Sequence, residues 1–336
     1  MKQTIYLLLA AALIALTACQ SKRRYYPANL TPLPVHIQRF DSALLNISDT
    51  NITQDINAIY EQYPVFMPVF VEQVLGVYAW DTAYLTKQLP LFLHDTVYGF
   101  AATNAYEQEV FKDITPIEHS LGQAFARMKY LFPEWDVPDI CFFVSGFNAS
   151  LLFVEDGIAV GADMYLGSDY PFYNRVVYDY QKRTMRPECI PVDIVSAWLF
   201  RNIAFQSQHN RLLDNMIYRG KVMYLLSVIF KELPEYEVMG YTEEQWDWCL
   251  KYERATWNRL VERRDLFNSE QRIISSYLND GPFTSQISQD SPGRLGTWVG
   301  WRIVEQYMKN HKEVGMQELM QMDDAQVILE GSYYNP

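Results

Sequence analysis

The sequence predicts an α+β fold, mostly α-helical, in which a small antiparallel sheet is followed by a helical lobe. Three observations carry this. Between about residues 53 and 132, apolar residues recur at three- and four-residue spacing, the period of a helix. Between 139 and 162 the pattern changes to short apolar runs separated by turn residues. From about 191 the helical period returns and holds to about 330.

The elements follow in order. Val35-His36-Ile37-Gln38-Arg39-Phe40 alternates as a strand does, and Asp41 before Ser42-Ala43-Leu44-Leu45 reads as a cap and a short helix. Pro64, Pro68 and Pro90 divide the next stretch into short helices, because proline lacks an N–H and clashes with the preceding turn. Ile117, Leu121, Phe125, Met128 and Phe132 then share one helix face, started by Thr115-Pro116 and stopped by Pro133. Ile140 to Val144 is a buried-strand run. Leu151 to Val154 and Ile158 to Val160 follow it, with Asp156-Gly157 as a hairpin turn between them. Pro191 suits a first helical turn, and Ile194, Trp198, Arg201 and Phe205 fall on one face after it. Further helices are expected over 212–230, 242–265, 269–279, 296–310 and 315–330. Gly281-Pro282 and Ser291-Pro292-Gly293 bracket a long loop among them.

Composition limits the function. Of 336 residues, 49% are apolar and only 20% charged, so the chain can bury a full core. A net charge of −12 argues against a nucleic-acid partner, which needs clustered Lys and Arg to neutralise phosphates. The same sign disfavours adsorption on an anionic membrane surface. No apolar stretch of spanning length follows residue 20.

The first residues are a separate unit. A lysine near the start, an apolar run from Ile5 to Leu16 and small residues after it read as a signal peptide over 1–18. Leu16-Thr17-Ala18-Cys19 resembles the lipobox of bacterial lipoproteins. The resemblance implies that Cys19 becomes the first residue and carries lipid, a durable anchor at about 0.8 kcal/mol per buried methylene. Gln20 after the cysteine implies the outer membrane, and the basic Ser21-Lys22-Arg23-Arg24 points to its periplasmic face. Residues 19–34, with Tyr25, Tyr26, Pro27, Pro32 and Pro34, read as a lipidated tether. Residues 35–336 read as one globular domain. Cys141, Cys189 and Cys249 are odd in number, so at least one thiol lacks an intrachain partner.

Many catalytic signatures are missing. His36, His94, His119, His209 and His311 stand far from one another, so no two lie one helical turn apart as zinc ligands would. The chain has no C-x-x-C, no G-x-S-x-G, no phosphate loop and no G-x-G-x-x-G, and neither metal nor cofactor is expected. Carboxylates such as Asp163, Asp169 and Asp214 are common, yet spacing alone pins no facing pair. Aromatics are in excess, with 24 Tyr, 18 Phe and 8 Trp. Asp169-Tyr170-Pro171-Phe172-Tyr173-Asn174 packs three into six residues, on a loop where such rings build contact surfaces or fill a core rim.

Six blocks together resemble the gliding-motility lipoprotein B (GldB) family of the Bacteroidetes. They are His36 to Asp41, Tyr63 to Phe66, Ser145 to Asn148, Gly161 to Gly167 with Asp169 to Tyr173, Asn279 to Thr284, and Ser291 to Gly296, which contains Arg294. The resemblance spans nearly the whole mature chain. It implies an envelope lipoprotein linked to gliding and its export machinery, with envelope proteins as partners. A second resemblance is to the gluzincin metallopeptidases. They place H-E-x-x-H on one helix and an acidic ligand, within E-G-x-x-x-Y, on the next. Here Arg201 and Phe205 stand in place of the two histidines and Asn202 in place of the general base. Arg219, opening Arg219-Gly220-Lys221-Val222-Met223-Tyr224, stands in place of the third ligand. The resemblance implies a zincin-like core whose metal site is lost, because arginine has no lone pair to donate and phenylalanine no donor atom. Two arginines there would need anionic partners, with Asp163 and Asp214 the candidates.

The leading expectation is a non-enzymatic, lipid-anchored scaffold or assembly factor, whose old peptidase groove would take a peptide or an anionic group through Arg201 and Arg219. One rival is a periplasmic hydrolase using Asp163 and Asp169. The other is a glycan-binding protein using Tyr170, Phe172 and Tyr173, which requires those rings to be exposed and coplanar.

Overall fold

The computed structural model describes residues 25–336, and the signal segment and Cys19 lie outside the described residues. The sheet has four strands: β1 (Ile37–Arg39), β2 (Asp139–Phe143), β3 (Leu151–Val154) and β4 (Gly157–Gly161), in the order β1-β2-β4-β3. It is mixed, not antiparallel as the sequence suggested. β1 pairs with β2, and β2 with β4, in parallel; only β3 and β4 are antiparallel. The physical reason lies in two connections. The loop from Val144 to Ser150 carries the chain past one strand position, so β3 lands on the outer edge. The tight turn then returns β4 into the slot beside β2. Val154 pairs with Gly157, so the turn residues are Glu155 and Asp156, with Glu155 in the left-handed region at φ 39°.

Both faces of the sheet are covered, which explains why its central strands are apolar throughout. Ile37, Ile140, Phe142, Ile158 and Val160 enter the larger core with the C-terminal helices. Cys141, Phe143, Val154 and Ala159 point the other way, into a second core. That second core is closed by α1 (Ile52–Gln62), α2 (Phe66–Gln73) and α3 (Thr82–His94), through Phe66, Phe70, Leu85 and Leu89. Pro64 separates α1 from α2 as expected. Pro68 and Pro90 instead lie within α2 and α3. Pro68 is the third residue of its helix, where an N–H has no helical acceptor to lose.

Two helices lead into β2: α4 (Phe100–Val110) and α5 (Thr115–Leu131). The larger core is completed by α6 (Ile190–Asn202), α7 (Leu212–Ile229), α8 (Glu243–Lys251), α9 (Glu253–Glu262), α10 (Gln271–Leu278), α11 (Leu295–Asn310) and α12 (Ala325–Ser332). The helix expected over 242–265 is divided at Tyr252, and that over 315–330 into Met316–Gln321 and α12. Trp298 and Trp301 of α11 are among the largest fully buried side chains.

The segment read as a tether is docked from Tyr25 onward. The Tyr25 and Tyr224 hydroxyls lie 2.6 Å apart, and the buried Tyr26 donates to the Val228 carbonyl at 2.6 Å. Leu33 N–H reaches the Gly122 carbonyl at 3.0 Å.

Candidate functional site

β4 runs directly into a short turn, Ala162–Met164, which places Asp163 beneath the loop that follows β2. Asp163 is fully buried. Its carboxylate accepts Ser145 N–H at 2.8 Å, Ser145 Oγ at 3.0 Å and Phe147 N–H at 2.6 Å. Ser145 Oγ in turn accepts the N–H groups of Asn148 and Ala149. This clasp holds Gly146 and Phe147 in the left-handed region, at φ 68° and 61°. Burial pushes the Asp163 carboxyl up to about 6, against the pull of those hydrogen bonds.

Tyr173 extends the same frame. It is fully buried, donates to the Asp163 carbonyl and accepts Leu166 N–H, each at 2.8 Å. Around it the rings pack on one another. Phe147 and Phe172 are 4.8 Å apart between centroids, Tyr170 and Tyr173 5.1 Å, Tyr106 and Tyr170 4.8 Å, and Tyr98 and Phe172 5.9 Å. Tyr98 and Tyr106 present the patch to solvent at 55% and 46% exposure, with Tyr170 and Phe172 half-buried beside them. The coplanar platform that a stacked sugar requires is not formed, since Tyr170 meets Tyr173 edge-on at 77°. Asp169 is exposed while Asp163 is enclosed, so the two do not face each other across a cleft.

A second buried polar group is tied to this frame. Arg39 forks onto the buried Asp41, with Nε 2.9 Å from each carboxylate oxygen. Glu107 of α4 is also fully buried, and neither of its oxygens has a hydrogen-bond partner while ionised. Burial, then the neighbouring Asp41 and Asp163, push its carboxyl well above the usual range. Burial thus favours the neutral form of Glu107 beside the Asp41 carboxylate. Sequence reasoning missed Arg39, Asp41 and Glu107 as a group, and also Tyr98, Tyr106 and Phe147. Arg39, Asp41 and Phe147 do sit in the family blocks, but Tyr98, Tyr106 and Glu107 carry no local signal.

Arg201, Asn202, Phe205 and Arg219, the positions that the gluzincin resemblance singles out, each find partners outside that set. Exposed Arg201 donates to the Glu155 carbonyl and lies over the Phe153 and Trp198 rings, at 5.3 and 5.1 Å. Asn202 donates to the Trp198 carbonyl at 2.8 Å, and Phe205 packs on Tyr218. Arg219 donates to the Leu278 carbonyl at 2.8 Å. Asp214 is taken by its own helix start: it accepts Arg211 N–H and Nη2, each at 2.9 Å, and Ser207 Oγ at 2.7 Å. Burial opposes ionisation of Asp214, but those bonds hold its carboxyl below the usual range. The expected network of Arg201 and Arg219 with Asp163 and Asp214 is thus corrected. Arg201 ends α6 beside the β3–β4 hairpin, whereas Arg219 lies two turns into α7, facing α10.

A cavity of about 280 Å³ opens between the α1–α2 corner and the sheet, lined by Tyr63, Phe66, Cys141 and Val154 among others. Burial pushes the Cys141 thiol up to about 12, which removes it as a nucleophile at neutral pH. Among the described residues, no three His, Cys, Asp or Glu side chains are grouped as a metal ion would require, and no helix is long and apolar enough to cross a membrane.

These features define a helix-clad mixed-sheet protein that offers aromatic rings on a rigid base with Asp41, Glu107 and Asp163 buried inside it. The chain belongs to the family described as gliding motility protein GldB, a lipoprotein family, which matches residues 22–336. No curated protein and no solved structure matches it. The gluzincin likeness keeps only its sequence pattern.

Proposed function

We propose that this protein is a lipid-anchored docking subunit of the outer membrane, facing the periplasm, that assembles envelope proteins of the gliding and export machinery without catalysing a reaction. Family membership supports the process. The observation that carries the docking role is the aromatic patch of Tyr98, Tyr106, Tyr170 and Phe172 over the Asp163 clasp. Rings presented on a fixed base lose little entropy when a partner covers them, and Tyr is enriched among residues that dominate binding energy. Cys19 is the lipid site in this reading. Five residues separate it from the docked Tyr25, a reach of about 20 Å, so the domain stays close to the membrane.

The test is crosslinking in intact cells with the Cys19 anchor retained, comparing the native chain with a Tyr106→Ala, Phe172→Ala double variant. An envelope protein recovered in stoichiometric amount, and reduced at least about tenfold by the double variant, is the expected result. Unchanged recovery, or the absence of any crosslinked protein, would overturn the docking role.

A further inference from the structure

Charge is unevenly balanced where α7, α10 and the start of α11 meet. Arg219 leaves α7 and gives one hydrogen bond, to the Leu278 carbonyl at the end of α10. Arg294, the residue before α11, donates Nη2 to the Met239 carbonyl at 2.6 Å. Its Nε lies 3.5 Å from Asp280 Oδ1 but is buried with no hydrogen-bond partner. Asp280 is already shared with Arg183, 3.0 Å away. Asp193 of α6 feels the Arg294 charge, but its carboxylate is bonded by the Tyr165 hydroxyl at 2.9 Å.

Arg183 and Arg294 therefore share Asp280, while Arg219, bonded to Leu278 two residues before that aspartate, stands beside Arg294 with no carboxylate of its own among the described residues, in a chain with 28 basic and 40 acidic residues. The charged group that acts on Arg219 is this second arginine. Burial, and then Arg294, make its protonated form harder to hold. A guanidinium has five N–H donors in a fixed fork, and among the described residues only one of these is used. A half-buried cation beside a like charge calls for an anion from outside.

We propose that Arg219 and Arg294 form a binding site for an oxyanion, a carboxylate or a phosphate, held by the unused N–H groups of both guanidiniums. Fork geometry matches two oxygens of either group. The site is separate from the aromatic patch, and it does not depend on the docking role.

Thermal unfolding of the full domain is measured in rising inorganic phosphate, and separately in acetate, with ionic strength held constant by chloride. The native chain should gain about 2–3 °C at an anion concentration ten times its dissociation constant. Arg219→Gln should lose that response. Arg201→Gln, an exposed arginine outside the site, should keep it. A response to phosphate alone assigns a phosphate ligand, and a response to acetate assigns a carboxylate. No response to either in the native chain, or an equal response in Arg219→Gln, overturns the site. Should Arg219→Gln fail to fold, phosphorus NMR of inorganic phosphate provides the readout. Line broadening by the native chain, at least about tenfold weaker with Arg219→Lys, supports the site, and equal broadening overturns it.

Discussion

Gly220 of α7 and Gly300 of α11 bring the two helix backbones into contact. A Cβ on Gly220 would lie 2.3 Å from the Gly300 carbonyl carbon, and one on Gly300 would lie 2.0 Å from the Met216 oxygen. The obstructing atoms are backbone, which no rotamer change can move aside. Gly220→Ala should destabilise the domain by about 2–3 kcal/mol in urea unfolding. Gly315→Ala, with nothing within 4 Å of the new methyl, is the matched control and should change stability little. Equal losses from both would show that helix contact is not the cause.

Asp163 gives a pH signature. Its carboxyl is raised from 3.8 to about 6 in the folded chain. Between those values the folded state holds a proton that the unfolded state has released, so this group's contribution falls as pH rises from about 4 to about 6. Asn does not titrate. The stability of Asp163→Asn relative to the native chain should therefore improve from about pH 4 to about pH 7, by about 3 kcal/mol at most. A gap that stays constant or widens with pH would refute the assignment.

The Asp41–Glu107 pair should respond asymmetrically. Burial favours the neutral form of Glu107, and an amide mimics that form, so Glu107→Gln should stay within about 1 kcal/mol of the native chain. Asp41→Asn leaves Arg39 without its counter-ion and should cost about 3 kcal/mol. Both values come from urea unfolding at neutral pH. A larger loss for Glu107→Gln than for Asp41→Asn would mean that Glu107 is the ionised member.

The thiols should be slow. Burial raises Cys141 and Cys189 from 9.0 to about 12 and pushes Cys249 higher still. A rise of three pH units lowers the thiolate fraction on the order of a thousandfold, so native-state alkylation at pH 8 should be slower than in urea by a similar factor. Mass spectrometry of each cysteine peptide checks this, and labelling of native Cys141 at the denatured rate would contradict it.

Local pattern made much of this molecule legible. The Ile117–Phe132 spacing marked α5, Pro191 the start of α6, and the turn residues the β3–β4 hairpin, because each of these depends on neighbours in sequence. The sheet order did not follow. β1 meets β2 through Ile37 and Ile140, about a hundred residues apart, and no local preference encodes that pairing. The candidate site divided in the same way. The Tyr170–Tyr173 loop was visible in composition, whereas Tyr98 and Tyr106 join it only through the packing of α4 and the segment before it. The gluzincin resemblance pairs Arg219 with Arg201, whereas the fold sets it beside Arg294.

The docking of Tyr25 and Tyr26 bears on how a partner would be met. With lipid on Cys19, the docked end of the domain at Tyr25 is held within about 20 Å of the membrane surface. A partner held in the same membrane then searches a thin sheet, not a volume, and its effective concentration reaches the millimolar range that short linkers give. At that concentration an aromatic patch of modest intrinsic affinity is enough for occupancy. Removing the lipid would weaken assembly even though every ring stayed in place.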